Sequence, residues 1–333
     1  MIRLVYLGYY FKKLDWEKHN KFIQFASELT SKPKAVLFVL SIFNSIKYNI
    51  SILEYYQFRF FQKARKEKSS YAGTGFMFEY QKKMNPSKFR KYFIDKRLFL
   101  ETFSKLVRHQ YASLDELRGN QSLAESILSN SSGKIVIKRN DGQCGVGVDV
   151  INSTQLNPFS FVELMKNTGN DLAEEFIVQH PALMALSPSG LNTVRIFTQL
   201  TESGKVDIIG CRLRITINSI VDNLAAGNIA AAIDPVTGRL SGPGVYSDIT
   251  KKNVLVHPIT GIELLNFQVP FWSDILTLVE EAALTVPECK SIGWDIAVTE
   301  YGPELLEGNH DWCKLVWQLP VEAGLKEILV KYL

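Results

Sequence analysis

The sequence predicts an α+β protein in which a basic, mainly helical N-terminal region precedes a larger body of short β-rich runs with interspersed helices. Three observations lead there. Charge is split: residues 1–100 carry 20 Lys and Arg against 7 Asp and Glu, and residues 101–333 carry 18 against 27, so the bulk value of +4 conceals +13 and −9. Periodicity changes near residue 130, from apolar residues at helical spacing to short runs rich in β-branched residues. A hydrophobic content of 46% over 333 residues is enough for one large core or two to three smaller ones, which excludes a disordered chain.

Taken in order, residues 1–70 read as helices with a single proline, Pro33. Within them "AVLFVLSIFNSI" (35–46) is the most apolar window; at 12 residues it is too short for the roughly 20 that span a bilayer, and reads as a buried helix or one lying in a membrane interface. The opening residues are amphipathic and charged, unlike a secretory leader. "KSSYAGTG" (68–75) reads as a linker, and "NPSKFRKYFIDKRLFLETFSKL" (85–106) as a turn followed by a helical pattern. Strands are predicted at 134–138, 174–179, 193–200, 206–217 and 228–234, with a helix over 273–284. In "GWDIAVTEYGPELLEGNHDW" (293–312), Ile292, Trp294, Ile296 and Val298 alternate on one face with Asp295 on the other; a turn at Tyr301-Gly302-Pro303 leads to a second strand carrying Glu307 and Asn309.

Several sets of residues suit chemistry. If the two strands of 293–312 pair, Asp295, Glu307 and Asn309 gather, and they supply the oxygen ligands that Mg²⁺ takes together with phosphates and water; solvent-facing residues of an exposed hairpin are the other reading. In "KIVIKRNDGQCGVGV" (134–148), Lys138 ends a strand before a loop with Gly142, Gly145 and Gly147, a pattern suited to phosphate but fitting neither the P-loop nor the dinucleotide fingerprint. Arg195 lies on an apolar strand, and Arg212 and Arg214 share a face of the next; each needs a carboxylate or an anionic ligand. The cysteines (144, 211, 289, 313) and the five histidines have no metal-site spacing and form no nucleophilic triad pattern, so covalent catalysis is not expected, and the cysteine pattern suits a reduced compartment. The basic N-terminal region suits anionic lipid or an acidic protein; with no groove-reading or single-strand-binding motif, nucleic acid is not the expected partner.

In this order, Lys138 with its Gly-rich loop, "EEFI", "NTVR", Asp295 and "ELLEGN" resemble the ATP-grasp superfamily. With "DKRLF", "QHP", "LNTVRIFT" and "GWDIAVTEYGPELLEGN", the likeness narrows to the sugar-transfer-associated ATP-grasp family, over roughly residues 80–320. The resemblance implies an ATP-grasp fold, two α+β lobes clasping ATP. Lys96 and Lys138 would reach the phosphates under the loop of Gly142, Gly145 and Gly147. Glu174, Glu175, Phe176 and Ile177 would form the hinge against adenine, and Asp295, Glu307 and Asn309 would hold Mg²⁺. Arg195 and Arg214 would steady the transferring phosphoryl group, and one of them would stand in for the arginine that the superfamily often carries where this chain has Gly293.

The expected organisation is a helical region over 1–75 and a catalytic region over 80–333, with a lid lobe at about 130–190 and a metal-bearing lobe at about 190–333. The resemblance implies an ATP-dependent carboxylate–amine ligase working through an acylphosphate on a sugar or amino-acid substrate of surface polysaccharide biosynthesis. The alternatives are an ATP-grasp kinase acting on a hydroxyl, and an inactive nucleotide-binding subunit docked on a membrane glycosyltransferase. The expected partners are small carboxylate and amine substrates and, through the N-terminal region, the membrane or its polysaccharide machinery. The expected location is the cytoplasm, peripheral at the inner face of the membrane.

Overall fold

A computed structural model describes residues 2–140 and 147–333. The N-terminal region folds as helices α1 (Ile2–Lys12), α2 (Trp16–Thr30), α3 (Lys34–Tyr48), α4 (Ile52–Gln57), α5 (Arg65–Ser69) and α6 (Thr74–Met84). Local chemistry sets their ends: Asp15 accepts from the Lys18 N–H to start α2, and Ser51 with Glu54 forms a capping box on α4. After the turn at Asn85, α7 (Lys91–Ile94) and α8 (Lys96–Thr102) follow, the second capped by Asp95.

The smaller sheet is built from β1 (Tyr111–Ser113), helices α9 (Leu114–Gly119) and α10 (Gln121–Leu128), β2 (Lys134–Lys138), β3 (Val148–Asn152), α11 (Pro158–Thr168) and β4 (Leu172–Glu175). Its strand order is β1-β4-β2-β3, antiparallel throughout, and Ile135, Ile137 and Ala173 pack against Phe161 and Met165 of α11 on one face. The chain then passes through α12 (Pro181–Leu186) into β5 (Thr193–Leu200), β6 (Val206–Ile215), β7 (Ile229–Ala232), α13 (Trp272–Thr285), β8 (Ser291–Thr299) and β9 (Gly302–Asn309), closing with α14 (Lys314–Gln318) and α15 (Lys326–Val330). The larger sheet has the order β7-β6-β5-β8-β9.

Alternation along these strands divides the larger sheet into two unlike faces. One presents Val194, Ile196, Leu213, Trp294 and Ile296 to Ile275, Val279 and Ala282 of α13. On the other side, Phe197 packs with Trp312 and Trp317 into a core completed by Tyr55, Tyr56, Phe58 and Phe60 of the N-terminal region. A buried ion pair crosses that second core: the Glu54 carboxylate accepts from Lys314 Nζ (3.0 Å), the Thr74 N–H (3.0 Å) and the Ser51 N–H (2.7 Å). The helical N-terminal region is thus half of a core and not an appendage.

The α+β class and the run of helices followed by strands agree with expectation, and β5 and α13 match the predicted spans to within a residue at each end. Three readings change. The 68–75 segment buries Tyr71 and Ala72, because its glycines admit a neighbouring turn: a methyl on Gly73 would lie 2.7 Å from the Asn49 carbonyl oxygen and 2.8 Å from Ile50 Cα. The run 174–179 leaves the smaller sheet at Glu175, since residues 176–178 cross to the larger sheet without a strand partner, and Gln179 then bridges Thr299. The apolar window 35–46 is helical but not wholly buried: Leu37, Ser41, Asn44 and Ser45 face inward, and Val36, Val39 and Phe43 face out. Among the described residues no helix is long and apolar enough to cross a membrane.

Gly73→Ala is expected to lower unfolding free energy by about 1–3 kcal/mol through overpacking against backbone that cannot yield. Urea denaturation checks this, and an unchanged midpoint would mean that residues 68–75 do act as a loose connection.

Candidate functional site

Strand register brings the charged residues of the larger sheet into one row. Arg212 on β6 lies opposite Arg195 on β5, Arg195 opposite Asp295 on β8, and Asp295 opposite Glu307 on β9. One step along, Phe197, Gly293 and Asn309 form the next row on the same face. Gly293 is required there, because a methyl would lie 2.7 Å from Trp312 Cβ. That contact explains why this position carries no arginine, and Arg195 reaches Asp295 from the neighbouring strand instead.

A β-bulge adds a third acid to this face. Asp295 pairs with Glu307 but Ile296 pairs with Leu305, leaving Leu306 as the extra residue. Glu304 and Glu307 are three apart and would point to opposite faces of a regular strand; the bulge turns both toward the site side.

The electrostatics centre on Asp295, which is 3% exposed. Arg195 forks onto it, Nε to Oδ1 and Nη2 to Oδ2 at 2.6 Å, and Arg214 Nη1 reaches Oδ2 at 3.0 Å. Burial pushes the Asp295 carboxyl up, but the two guanidinium groups outweigh it and hold it well below the usual range. Arg214 also binds Asp222, which accepts from Thr193 Oγ1. Glu307 has the Asn309 amide as a partner, at 3.1 Å. Burial and the neighbouring Asp295 charge raise its pKa above the ordinary carboxylate value. Three carboxyl groups, those of Asp222, Asp295 and Glu307, therefore face two guanidiniums, and burial with the Asp295 charge raises both Asp222 and Glu307. Arg212 is separate: its guanidinium donates to the Trp317 and Cys211 carbonyls and closes the core.

The smaller sheet contributes Lys138, whose Nζ pairs with Glu174 Oε1 at 2.6 Å. His109 stands between the sheets, with Nδ1 2.7 Å from Glu304 Oε2 and Nε2 3.7 Å from Glu174 Oε2. Burial lowers the His109 pKa, but Glu304 and Glu174 reverse the shift and raise it above the imidazole norm. Lys96 Nζ donates to the Arg139 and Asn140 carbonyls at 3.2 and 3.1 Å, bracing the end of β2.

Between the sheets lies a cleft of about 1440 Å³. Lys96, Lys138, Glu174, Glu175, Phe176, Ile177, Arg195, Arg214, Asp295, Glu307 and Asn309 all line it. Gly142 and Gly145 lie outside the described residues; Gly147, with φ +73°, precedes β3 and is not among the residues lining the cleft. Asp222, His109 and Glu304 were not singled out from sequence. Asp222 follows an irregular stretch, and the partners of His109 are 65 and 195 positions away, beyond any local pattern. The odd spacing of Glu304 from Glu307 hid it.

The donor set fits Mg²⁺ in part. Among the described residues no group of three or more His, Cys, Asp or Glu forms a metal cluster. Two carboxylates and an amide still suit an ion that keeps water and substrate phosphate as its other ligands. Glu307, at the rim of the cleft beside the Asp295 charge, is stabilised by an added cation. Asp295 is partly committed: Oδ2 already takes two arginine N–H groups, leaving Oδ1 the freer oxygen.

Arg195→Leu is expected to destabilise the fold by about 3–5 kcal/mol, because it strands a buried charge, and pairing it with Asp295→Leu should restore most of that loss. Chemical unfolding of both variants checks the coupling; equal losses would show that the pair contributes no mutual compensation. A second expectation concerns pH. His109, raised in the fold, contributes its full stabilisation below about 6.5 and loses it as pH rises through its folded value. Glu174 and Glu304, held below the ordinary range, contribute above about 4.3 and lose it as pH falls. The stability gap between wild type and His109→Gln should thus be widest in mildly acidic solution, about 2 kcal/mol or more, and shrink in alkali. Melting temperatures across pH test this, and a gap that grows with pH would contradict it.

The model of the sugar-transfer associated ATP-grasp family matches residues 76–332. No curated protein sequence matches. Among solved structures, the chain is similar to a biotin carboxylase–ATP complex from Campylobacter jejuni, at 13% identity over 73% of this chain and 46% of that one, TM-score 0.45. It is also similar to the ATP-grasp ligase PsnB, bound to a precursor variant, Mg and ADP, at 12% identity over 80% and 68%, TM-score 0.43. A third is the L-amino acid ligase from Bacillus licheniformis, at 12% identity over 66% and 41%, TM-score 0.38. The chain spans under half the length of the first and third of these. The family match covers more than three quarters of the sequence, across both sheets and the cleft between them: the chain belongs to the sugar-transfer-associated ATP-grasp family.

Proposed function

We propose that the chain is an ATP-dependent ligase that joins a carboxylate to an amine through an acylphosphate, on a sugar or amino-acid substrate of surface polysaccharide biosynthesis. One observation carries the reading: Lys138 from the smaller sheet and Asp295, Glu307 and Asn309 from the larger sheet line a single cleft. Cation and carboxylates on opposite walls suit a phosphate chain with Mg²⁺ on its far side.

Glu307, Asn309 and the freer oxygen of Asp295 would hold Mg²⁺, which when bound neutralises phosphate charge and polarises the transferring group. Lys138 exchanges Glu174 for a phosphate oxygen. The backbone from Glu175 to Ile177 follows the strand it leaves and offers the hinge, with Phe176 and Ile177 as apolar surface for a base. Arg195 keeps Asp295 ionised and oriented. Arg214 retains an unused donor: its Nε is buried and has no hydrogen-bond partner among the described residues, leaving it for an anionic oxygen of substrate. In the reaction a substrate carboxylate oxygen bonds to the γ-phosphorus as ADP leaves; the amine then bonds to the acyl carbon, and phosphate and a proton depart. Positioning and charge stabilisation suffice.

Calorimetric titration with ATP should show binding that requires Mg²⁺, lost in Glu307→Gln and weakened about tenfold or more in Lys138→Ala. ADP release should then require a carboxylate and an amine together. Binding indifferent to both Mg²⁺ and Glu307 would overturn the cation assignment, and release with a hydroxyl compound alone would make the enzyme a kinase.

A further inference from the structure

Helix α3 carries apolar residues on its outward side as well as its inward one, while three polar residues share the inward side. Its buried side carries Leu37 together with Ser41, Asn44 and Ser45, with Phe38 and Leu40 packed at its edge, and its outward side carries Val36, Val39 and Phe43, the last two 64% and 57% exposed. Two of the inward polar groups are satisfied within the helix itself, Ser41 Oγ donating to the Phe38 carbonyl and the Asn44 amide to the Leu40 carbonyl, each at 2.7 Å. Burial of those groups therefore does not force the apolar residues outward. The same pattern continues on α1, which leaves Leu4, Val5 and Tyr9 exposed. α1 runs antiparallel to α3: Arg3 donates to the Ile46 and Lys47 carbonyls at one end, and Phe11 meets Phe38 at the other. Two neighbouring helices with apolar stripes facing out make a patch of a kind that water-exposed surfaces seldom keep.

Lysines predominate in the charge beside α3. Lys47 places its ammonium over the Phe43 and Tyr48 rings, at 5.6 and 5.4 Å, an apolar body with a cationic tip. Lys32 and Lys47 both act on Lys68 of α5, whose pKa is lowered by burial and then by these two like charges. The acid beside them, Glu67, is engaged elsewhere, accepting from the Ala64 N–H at 2.9 Å and lying 3.7 Å from Lys63. Positive charges that repel one another at the rim of an apolar patch want an anionic surface with an apolar interior behind it. At 11 and 15 residues, α1 and α3 are too short to cross a bilayer and suited to lie in its interface.

We propose that the outward faces of α1 and α3, with Lys32, Lys47 and Lys68 at their margin, dock the protein on the anionic surface of a lipid bilayer. The inference stands apart from the ligase reading, since none of these residues lines the cleft. Full-length protein is co-sedimented with phosphatidylcholine vesicles with and without phosphatidylserine. Binding should need the anionic lipid and weaken as ionic strength rises toward ~1 M. Val39→Glu with Phe43→Glu, at exposed positions, should cut vesicle binding at least about tenfold while leaving the circular dichroism spectrum and melting temperature unchanged. Lys32→Glu with Lys68→Glu should do the same by removing the electrostatic part. Absence of binding by the wild type, or equal binding by the variants, would overturn the proposal. So would a wild-type dimer that Val39→Glu with Phe43→Glu converts to monomer, because the patch would then belong to a second copy of the chain.

Discussion

A carboxylate buried within a five-stranded sheet can stay ionised only if its neighbours hold it, and Asp295 is held by Arg195 from the adjoining strand and Arg214 from the one beyond. Taking three charges out of water costs several kcal/mol per ion, which the mutual attraction offsets only with close geometry. The sheet supplies that geometry through register: Arg195 stands directly across from Asp295, and its planar fork needs no backbone adjustment. Much of the surrounding structure serves the same end. Trp312 covers the backbone at Gly293, α13 seals the opposite face, and the N-terminal helices complete the core beside the charged row. A rigid frame around these ions leaves Glu307 at the rim as the group whose charge depends on what enters the cleft.

The two sheets meet through a second buried network that is softer. His109 lies between Glu304 of the larger sheet and Glu174 of the smaller, and Glu174 in turn holds Lys138. Lys138 thereby lines the cleft with Glu174 as its partner. Glu174 is thus shared between the ammonium and the imidazole, and the network runs from the cleft to the contact between the two sheets. The arginine pairs fix the larger sheet; this chain of acid, imidazole and ammonium joins the smaller one to it.

Those parts of the fold whose cause is local were legible in the sequence. Alternation of Ile292, Trp294, Ile296 and Val298 marked a strand with Asp295 opposite its apolar residues, since side-chain direction follows from backbone pleat alone, but the strand is buried on both faces and not on one, because the N-terminal helices cover the second. The stripe over 273–284 marked α13 for the corresponding reason in a helix. What escaped depended on distant parts of the chain. Glycines at 73 and 75 carry the composition of a linker, and only the approach of Asn49 and Ile50 shows that they are there for space. His109 has no local signal, because its meaning lies in acids far along the chain. Among candidate site residues, the Asp295, Glu307 and Asn309 set could be read because two strands and one turn bring it together. The commitment of Asp295 to two arginines could not, since it depends on the order β6-β5-β8.

The bulge at Leu306 has a meaning for how such a hairpin can change over time. Direction in a strand is a matter of odd and even, and one supernumerary residue inverts the parity of everything on one side of it. Removing a single residue between Glu304 and Glu307 would leave both acids in the chain yet send one of them into the apolar layer against α13. Length here is thus as much a functional character as residue identity: point substitutions can be tried one at a time, while insertions and deletions must arrive in pairs. A descendant of this hairpin is free to vary its leucines but held to the count between its acids.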